Sequence, residues 1–466
     1  MTRRGFVGAA AALAVGRRLG GRQAGSDQAG LYQAKDPATE MAAVLKRIKA
    51  PKFSKRVFDI TRYGARQGSS NDSTQAIRNA IEACAAAGGG RVLVPAGAFS
   101  TGAVHLKSHV DLHLEEGATL FFSQDPKQYP IVYTRFEGTE CMNYSPFIYA
   151  WEQTDIAVTG LGMLDGQADK THWWDWKGRD SSRALVAMGE KDVPVAERIF
   201  GEGKLLRPNF VQPYRSANIL IEGVSIRNSP MWELNPVRCR NVTVRGVKIA
   251  SHGPNNDGCD PECSKDVLVE QCVFDTGDDC IAIKSGRNRD GRRVNVPSEN
   301  IVVRDCTMKD GHGGVSLGSE VSGGIRNVFV DQCRMDSPHL NYAMRIKTNT
   351  FRGGVMENVY FTNTTVGQVS DSVLEVTYFY PEGDDREGRG GPFKPVVRNV
   401  TLEHITSQKS RRAVNFRGYD NAPITGIRLA HCSFDNAAEE NVIEHVDGLR
   451  IEDVKRNGQP MGEPAK

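Results

Sequence analysis

The run Asn300-Ile301-Val302-Val303-Arg304-Asp305-Cys306-Thr307-Met308 decides the fold of this chain. An asparagine opens it, apolar residues alternate behind it, and a cysteine and one more apolar residue close it. Successive side chains of a strand point to opposite faces, so this pattern describes a short strand with one face buried. The pattern recurs from Asn218 (NILIEGVSI), Asn241 (NVTVRGVKI), Asp266 (DVLVEQCVF), Asn327 (NVFVDQCRM), Asn358 (NVYFTNTTV), Asn399 (NVTLEHITS), Gly426 (GIRLAHCSF) and Gly448 (GLRIEDVKR), at intervals of 22 to 41 residues. Weaker copies begin near His109 and Asp155. Periods of this size mark a stacked solenoid. The repeats hold strand patterns and turns and leave no room for helices, which predicts an all-β protein, a right-handed parallel β-helix. The structural alternative is a propeller, but its blades need about 40 residues or more, and most intervals here are shorter.

A solenoid needs covered ends. Asp72-Ser73-Thr74-Gln75 followed by Ala76, Ile77, Ala80, Ile81 and Cys84 predicts a capped amphipathic helix that stops at Gly88-Gly89-Gly90 and plugs the N-terminal end. A second short helix is expected over 36–49, with Asp36 as cap and Pro37 in the first turn. The expected organisation is an export signal and linker over 1–30, a short helical segment over 31–54, the β-helix over 55–455 and a loose polar tail over 456–466. In the first segment, Arg3-Arg4 precede a weakly apolar run from Gly8 to Gly16, the pattern of a twin-arginine export signal, which implies a periplasmic or secreted protein.

Composition narrows the partners. The 466 residues carry a net charge of +3, and residues 1–30 alone hold five Arg and one Asp, leaving −1 for the rest. That balance excludes a nucleic-acid partner. No stretch approaches the ~20 apolar residues of a membrane span, so no stable membrane insertion is expected. Cys272, Cys306, Cys333 and Cys432 recur at one place in the repeat and are expected to stack as buried hydrophobes. Cys259 and Cys263 lack a matching His or Cys pair, so no metal and no cofactor is expected. A disulfide involving Cys259, Cys263 or Cys280 stays open.

The chemistry concentrates in four consecutive repeats. Asn255-Asn256-Asp257-Gly258 and Gly277-Asp278-Asp279 supply carboxylates that stacking brings side by side. Three carboxyl groups forced together repel, so at least one pKa must rise. A proton-sharing carboxylate group is what acid/base cleavage of a glycosidic bond requires. Gly311-His312-Gly313 adds an imidazole. Arg345-Ile346-Lys347 points two cations to one strand face.

These four runs, in this order, make residues 55–455 resemble glycoside hydrolase family 28, the polygalacturonases of the pectate-lyase-like β-helix superfamily. Asn256 departs from the Thr that many members carry. The resemblance implies that Asp278 is the general acid, that Asp257 and Asp279 activate water, that His312 maintains the acid, and that Arg345 and Lys347, with Asn255 nearby, hold a galacturonate. It implies a pectic polysaccharide or oligogalacturonide substrate, an inverting mechanism and a monomer. Inversion needs room for water between acid and base. An Arg–Lys pair suits an anionic sugar.

Trp232, in Ser229-Pro230-Met231-Trp232, and Tyr380, with Tyr378, are expected beside the groove. Trp173, Trp174 and Trp176 are either sugar contacts or loop anchors. Insertions are expected at Ser285–Glu299 and Pro381–Lys394. Arg287, Arg289, Arg292 and Arg293 would make the first a positive wall, with Arg287 and Arg292 receiving a chain end, which favours exo attack. The rival readings are a rhamnogalacturonan hydrolase, a calcium-dependent pectate lyase and a non-catalytic polysaccharide-binding β-helix.

Overall fold

A computed structural model describes residues 36–178 and 180–462. The proposed export segment, residues 1–30, lies outside them. The chain winds as a parallel β-helix, with strands of successive coils paired parallel and in register on three faces. One column of inward residues shows the register: Val242 pairs Val267, which pairs Ile301, then Val328, Val359, Val400 and Ile427. All are buried. Each such side chain contributes about 1.5–3 kcal/mol by leaving water. Among the described residues no helix is long and apolar enough to cross a membrane.

The residue opening each repeat turns a corner in the left-handed region, with φ between 55° and 58° at Asn218, Asn241, Asp266, Asn300, Asn327, Asn358 and Asn399. Asn and Asp tolerate this conformation, and glycine takes it freely at Gly426 and Gly448. The amides also bond from coil to coil. Asn399 donates to Asn358, Asn358 to Asn327, Asn327 to Asn300, and Asn300 to the carboxylate of Asp266. A separate run goes from Asn241 to Asn218 to Asp155. Asp266 has no proton to pass to Asn241. The break is filled by Lys49 N, which donates to Asn241 Oδ1 at 2.7 Å, and by Arg47, which donates to Asp266 at 2.9 Å.

Those two residues end and follow α1 (Pro37–Arg47). Its Val44, together with Ile48, packs on Leu268, Val302, Phe329 and Tyr360, outward residues of the sheet. Helix α2 (Thr74–Ala86) buries Ala76, Ile77, Ala80, Ile81 and Cys84 against the end of the main core. Asp72 caps it, accepting from Thr74 N at 2.8 Å. The described start of the C-terminal tail, to residue 462, is tied down rather than loose: Gln459–Pro460 pairs antiparallel with Lys455–Arg456.

All ten cysteines are buried free thiols, so no disulfide forms at Cys259, Cys263 or Cys280. Their sulfurs are engaged apart: Cys263 accepts from Arg135 Nη1 at 3.3 Å, and Cys280 meets the Asp310 carbonyl at 3.4 Å. Cys272, Cys306, Cys333 and Cys432 occupy the buried corner after the opening strand, as their spacing predicts.

Insertions rise around one face. An antiparallel hairpin pairs Ile131–Phe136 with Thr139–Tyr144. Helix α3 (Asp180–Glu190) packs against α4 (Asn288–Val294). The segment expected as a loop at 287–293 is therefore mostly helix.

Candidate active site

The turn carrying Asp257 is held from below. Asn256 is fully buried and uses its whole amide: Oδ1 accepts from Ser251 Oγ and Gly253 N at 2.7 Å, and Nδ2 donates to the Ser229 and Met231 carbonyls at 3.0 Å. Arg207 donates to Asn255 Oδ1 at 2.7 Å and to the Pro230 and Pro254 carbonyls. Burial lowers its pKa to about 10. The neighbouring turn requires Gly277, since a Cβ there would lie 2.5 Å from the Gly253 carbonyl oxygen. Gly313 is required too: a Cβ would meet Ser316 Oγ at 2.4 Å and Asp279 Oδ1 at 2.9 Å.

These turns bring Asp257, Asp278 and Asp279 together, with one oxygen of each within 4.8 Å of the others. Each carboxylate has a different environment. Asp279 is buried, accepting from Lys347 Nζ at 2.6 Å and Ser316 Oγ at 2.9 Å. Asp278 faces His312 Nδ1 at 2.9 Å. Burial pushes Asp278 up, but the His312 hydrogen bond and Lys347 draw it down to about 2. The same bond raises the His312 pKa. Asp257 is 2 % exposed, and its Oδ1 has no hydrogen-bond partner. Burial, then repulsion from Asp278, pushes its pKa well up. Burial and repulsion therefore favour the protonated form of Asp257, while His312 and Lys347 favour the ionised form of Asp278.

The cations are arranged in two groups. Arg345 and Lys347 share one strand face, and Arg345 donates to Glu375 at 2.5 Å while lying over Tyr342. Lys284 sits beneath Asp257 at 3.6 Å, with Glu320 at 3.2 Å and Asp260 at 3.8 Å. Its ammonium lies over the Trp232 ring at 4.7 Å. Burial opposes its charge, yet Glu320, Asp260 and Asp257 hold it protonated.

A pocket of about 180 Å³ joins these groups to a wall. The wall links three insertions through charge. Arg287 pairs with Glu137 of the hairpin turn at 2.9 Å and Glu382 of the 381–394 segment at 3.0 Å. Arg352 pairs with Glu382 at 2.7 Å and approaches Glu320 at 3.7 Å.

The pocket is lined by Asn255, Asp257, Asp278, Asp279, Lys347, Arg287, Trp232 and Tyr380. His312 and Arg345 adjoin it through Asp278 and Tyr380. Arg292 does not reach it. That side chain stacks on Phe393 at 3.6 Å and donates to the Phe351 and Arg352 carbonyls. Arg289 pairs with Asp192, and Arg293 with Glu140 and Asp290. The expected positive wall is thus an internally paired one, and only Arg287 of the four faces the pocket. Tyr378 is fully buried, its hydroxyl accepting from Val397 N. Trp173 and Trp174 anchor their loop, the first in an aromatic cluster with Tyr129 and Phe147, the second donating to Ser229 O. The nearest oxygens of the three carboxylates lie within 4.8 Å, closer than the roughly 6.5–9.5 Å between the groups of a usual inverting pair, so inversion rests on the family resemblance and not on this spacing.

Sequence reading missed Lys284, Glu320, Arg352, Arg207 and Glu137. Lys284 had a signal, a lone charge ending the apolar strand after Asp279. The others had none. Among the described residues, two carboxylate-bearing groups offer cation-ligand geometry, Asp257–Asp278–Asp279 and His252–Asp275–Asp310. In the first, Lys347 and His312 already face two of the three acids.

The model of the glycosyl hydrolases family 28 matches residues 84–450. A probable polygalacturonase of Vitis vinifera is 30% identical over 363 residues, covering 76% of this chain and 68% of that protein. An exo-poly-alpha-D-galacturonosidase of Dickeya chrysanthemi is 27% identical over 394 residues, covering 78% of this chain and 64% of that protein. Among solved structures, a hyperthermoactive exopolygalacturonase of Thermotoga maritima superposes with a TM-score of 0.87 at 41% identity, covering 91% of this chain and 97% of that one.

Proposed function

The chain belongs to glycoside hydrolase family 28, and from that premise we propose that it removes terminal units from α-1,4-linked galacturonan by metal-independent, inverting hydrolysis. The observation that carries the reading is the division of three adjoining carboxylates among different partners: His312 on Asp278, Lys347 on Asp279, and burial without a hydrogen bond to Oδ1 on Asp257. Asp278 is the general acid. It must receive a proton before it can donate one. An anionic sugar beside Lys347 and His312 offsets the two cations that hold Asp278 low. The proton then favours Asp278 over Asp257. Asp257, newly ionised, and Asp279 together take the proton of the attacking water. Arg345 and Lys347 bind the substrate carboxylate with the donors that Glu375 and Asp279 leave free, since a guanidinium and an ammonium each carry more than one N–H.

Exo action is supported by the wall of Glu137, Arg287 and Glu382 and by the names of the Dickeya and Thermotoga relatives. The Arg3-Arg4 segment supports export, and we read the enzyme as a monomer acting outside the cytoplasm.

A time course on polygalacturonate tests this. Mono- or digalacturonate should appear from the first minutes with little fall in viscosity. A ladder of intermediate oligomers would overturn exo action. Unsaturated, ultraviolet-absorbing products would overturn hydrolysis. Proton NMR of the first product should show the β-anomer; the α-anomer would mean retention.

A further inference from the structure

An exo-acting site holds one end of a polymer and must let the remainder leave. We propose that the remainder is gripped by a second station for uronate carboxylates, built from Arg389, Arg417 and Phe379. This rests on the galacturonan reading of the catalytic pocket. The outward ladder of the catalytic face runs from Lys347 to Thr377 to Arg417. Two rungs of a sheet place Arg417 about 10 Å along the axis from Lys347. Its guanidinium lies over the Phe379 ring at 4.4 Å.

Arg389 reaches the same ring from the 381–394 insertion, 5.7 Å from Phe379 and 5.6 Å from Tyr419. It is more than half exposed, and its nearest paired carboxylate is Glu387, itself exposed, at 3.7 Å. Arg417 has a closer partner, Glu444 at 3.0 Å, but both are over 40% exposed, so the pair is weak and yields to a ligand. Arg389, though not Arg417 or Phe379, borders a cavity of about 400 Å³, larger than the catalytic pocket and lined also by Phe393, Lys394 and Tyr419. Asp420 also borders it but extends almost wholly into solvent.

Cations over aromatic rings, next to open space, suit an acidic sugar. The ring offers an apolar face, and the guanidinium a fork for the carboxylate. The insertion thus has two parts. Pro381 and Glu382 close the catalytic pocket, and Arg389 and Lys394 border the second cavity.

The test compares polygalacturonate with digalacturonate, which is too short to reach from Lys347 to Arg417. Kinetics are measured for wild type, Arg389→Ala, Arg389→Lys and the double variant Arg389→Ala/Arg417→Ala. The double variant should raise KM for the polymer about tenfold with kcat unchanged, and leave digalacturonate kinetics alone. Arg389→Lys should recover part of the single-variant loss. An unchanged polymer KM would overturn the station. Equal losses on both substrates would also overturn it, since the residues would then act through the catalytic pocket. Where digalacturonate is the product and is not cleaved, its inhibition constant against the polymer, expected unchanged in the variants, takes the place of its kinetics. Failure of the wild type to hydrolyse polygalacturonate would instead remove the galacturonan reading, and this inference with it.

Discussion

Replacing Lys284 with Met tests the electrostatic account of the cluster. The ammonium is 3.6 Å from Asp257 and 3.2 Å from Glu320, with its side chain 5% exposed. At an effective dielectric of ~20, two charges 3.6 Å apart attract by about 4–5 kcal/mol. Glu320 shares the lysine, so Asp257 feels only part of that. The sign follows directly. Lys284 favours the ionised form of Asp257, so removing it raises a pKa that burial has already raised. The working cluster carries one proton, held on Asp257 in the free site and lost as pH rises, so raising that pKa should move the basic limb of kcat/KM up by about 1–3 pH units. Losing one partner of a buried ion pair should also cost about 3–5 kcal/mol of stability. Lys284→Arg, which keeps the charge, should hold the limb near its wild-type position. The assay is kcat/KM on polygalacturonate across pH, with a thermal melt to establish folding. A folded Lys284→Met enzyme whose basic limb moves by less than roughly half a unit would refute the reasoning.

Asp278→Asn should lower turnover by about 10²–10⁴-fold or more while oligogalacturonate binding persists; retention of over a tenth of the activity, measured by reducing-sugar release, would remove Asp278 from the mechanism. Lys347→Ala and Arg345→Ala should lose roughly 2–5 kcal/mol of transition-state stabilisation on free-acid substrate and less on methyl-esterified substrate; equal losses on both would make these cations structural. Activity should survive EDTA, and loss on chelation restored by calcium would put the carboxylate cluster to use as a cation site.

The fold was legible because each coil repeats two demands, an alternating apolar strand and a corner residue that tolerates positive φ, as at Asn300 and Asn327. The carboxylates were legible for the same reason: Asp257 and Asp278 stand one coil apart. The wall was not. Its members, Glu137, Arg287, Arg352 and Glu382, come from separate insertions and meet only by pairing across space. Arg292 was misplaced because the arginine run was read as a loop. In α4 the adjacent Arg292 and Arg293 diverge by about 100°, which sends the first to Phe393 and the second to Glu140 and Asp290. The spacing of the tryptophans could not distinguish anchors from sugar platforms; burial of Trp173 decides for an anchor.

The asparagine ladder has a polarity, because an amide can both give and accept whereas a carboxylate only accepts. Each run therefore ends at an Asp, and Asp266 leaves a seam between its own coil and that of Asn241. That seam separates the coil bearing Asp257 from the coil bearing Asp278 and Asp279. The backbone ladders keep these two coils in register, and at their corner the missing amide bond is replaced by a splice made from outside, by Arg47 and Lys49. Deleting α1 would leave an unanswered carboxylate and an unanswered amide at this one rung. An asparagine substituted at Asp266 would let the amides run unbroken, and would make the splint dispensable.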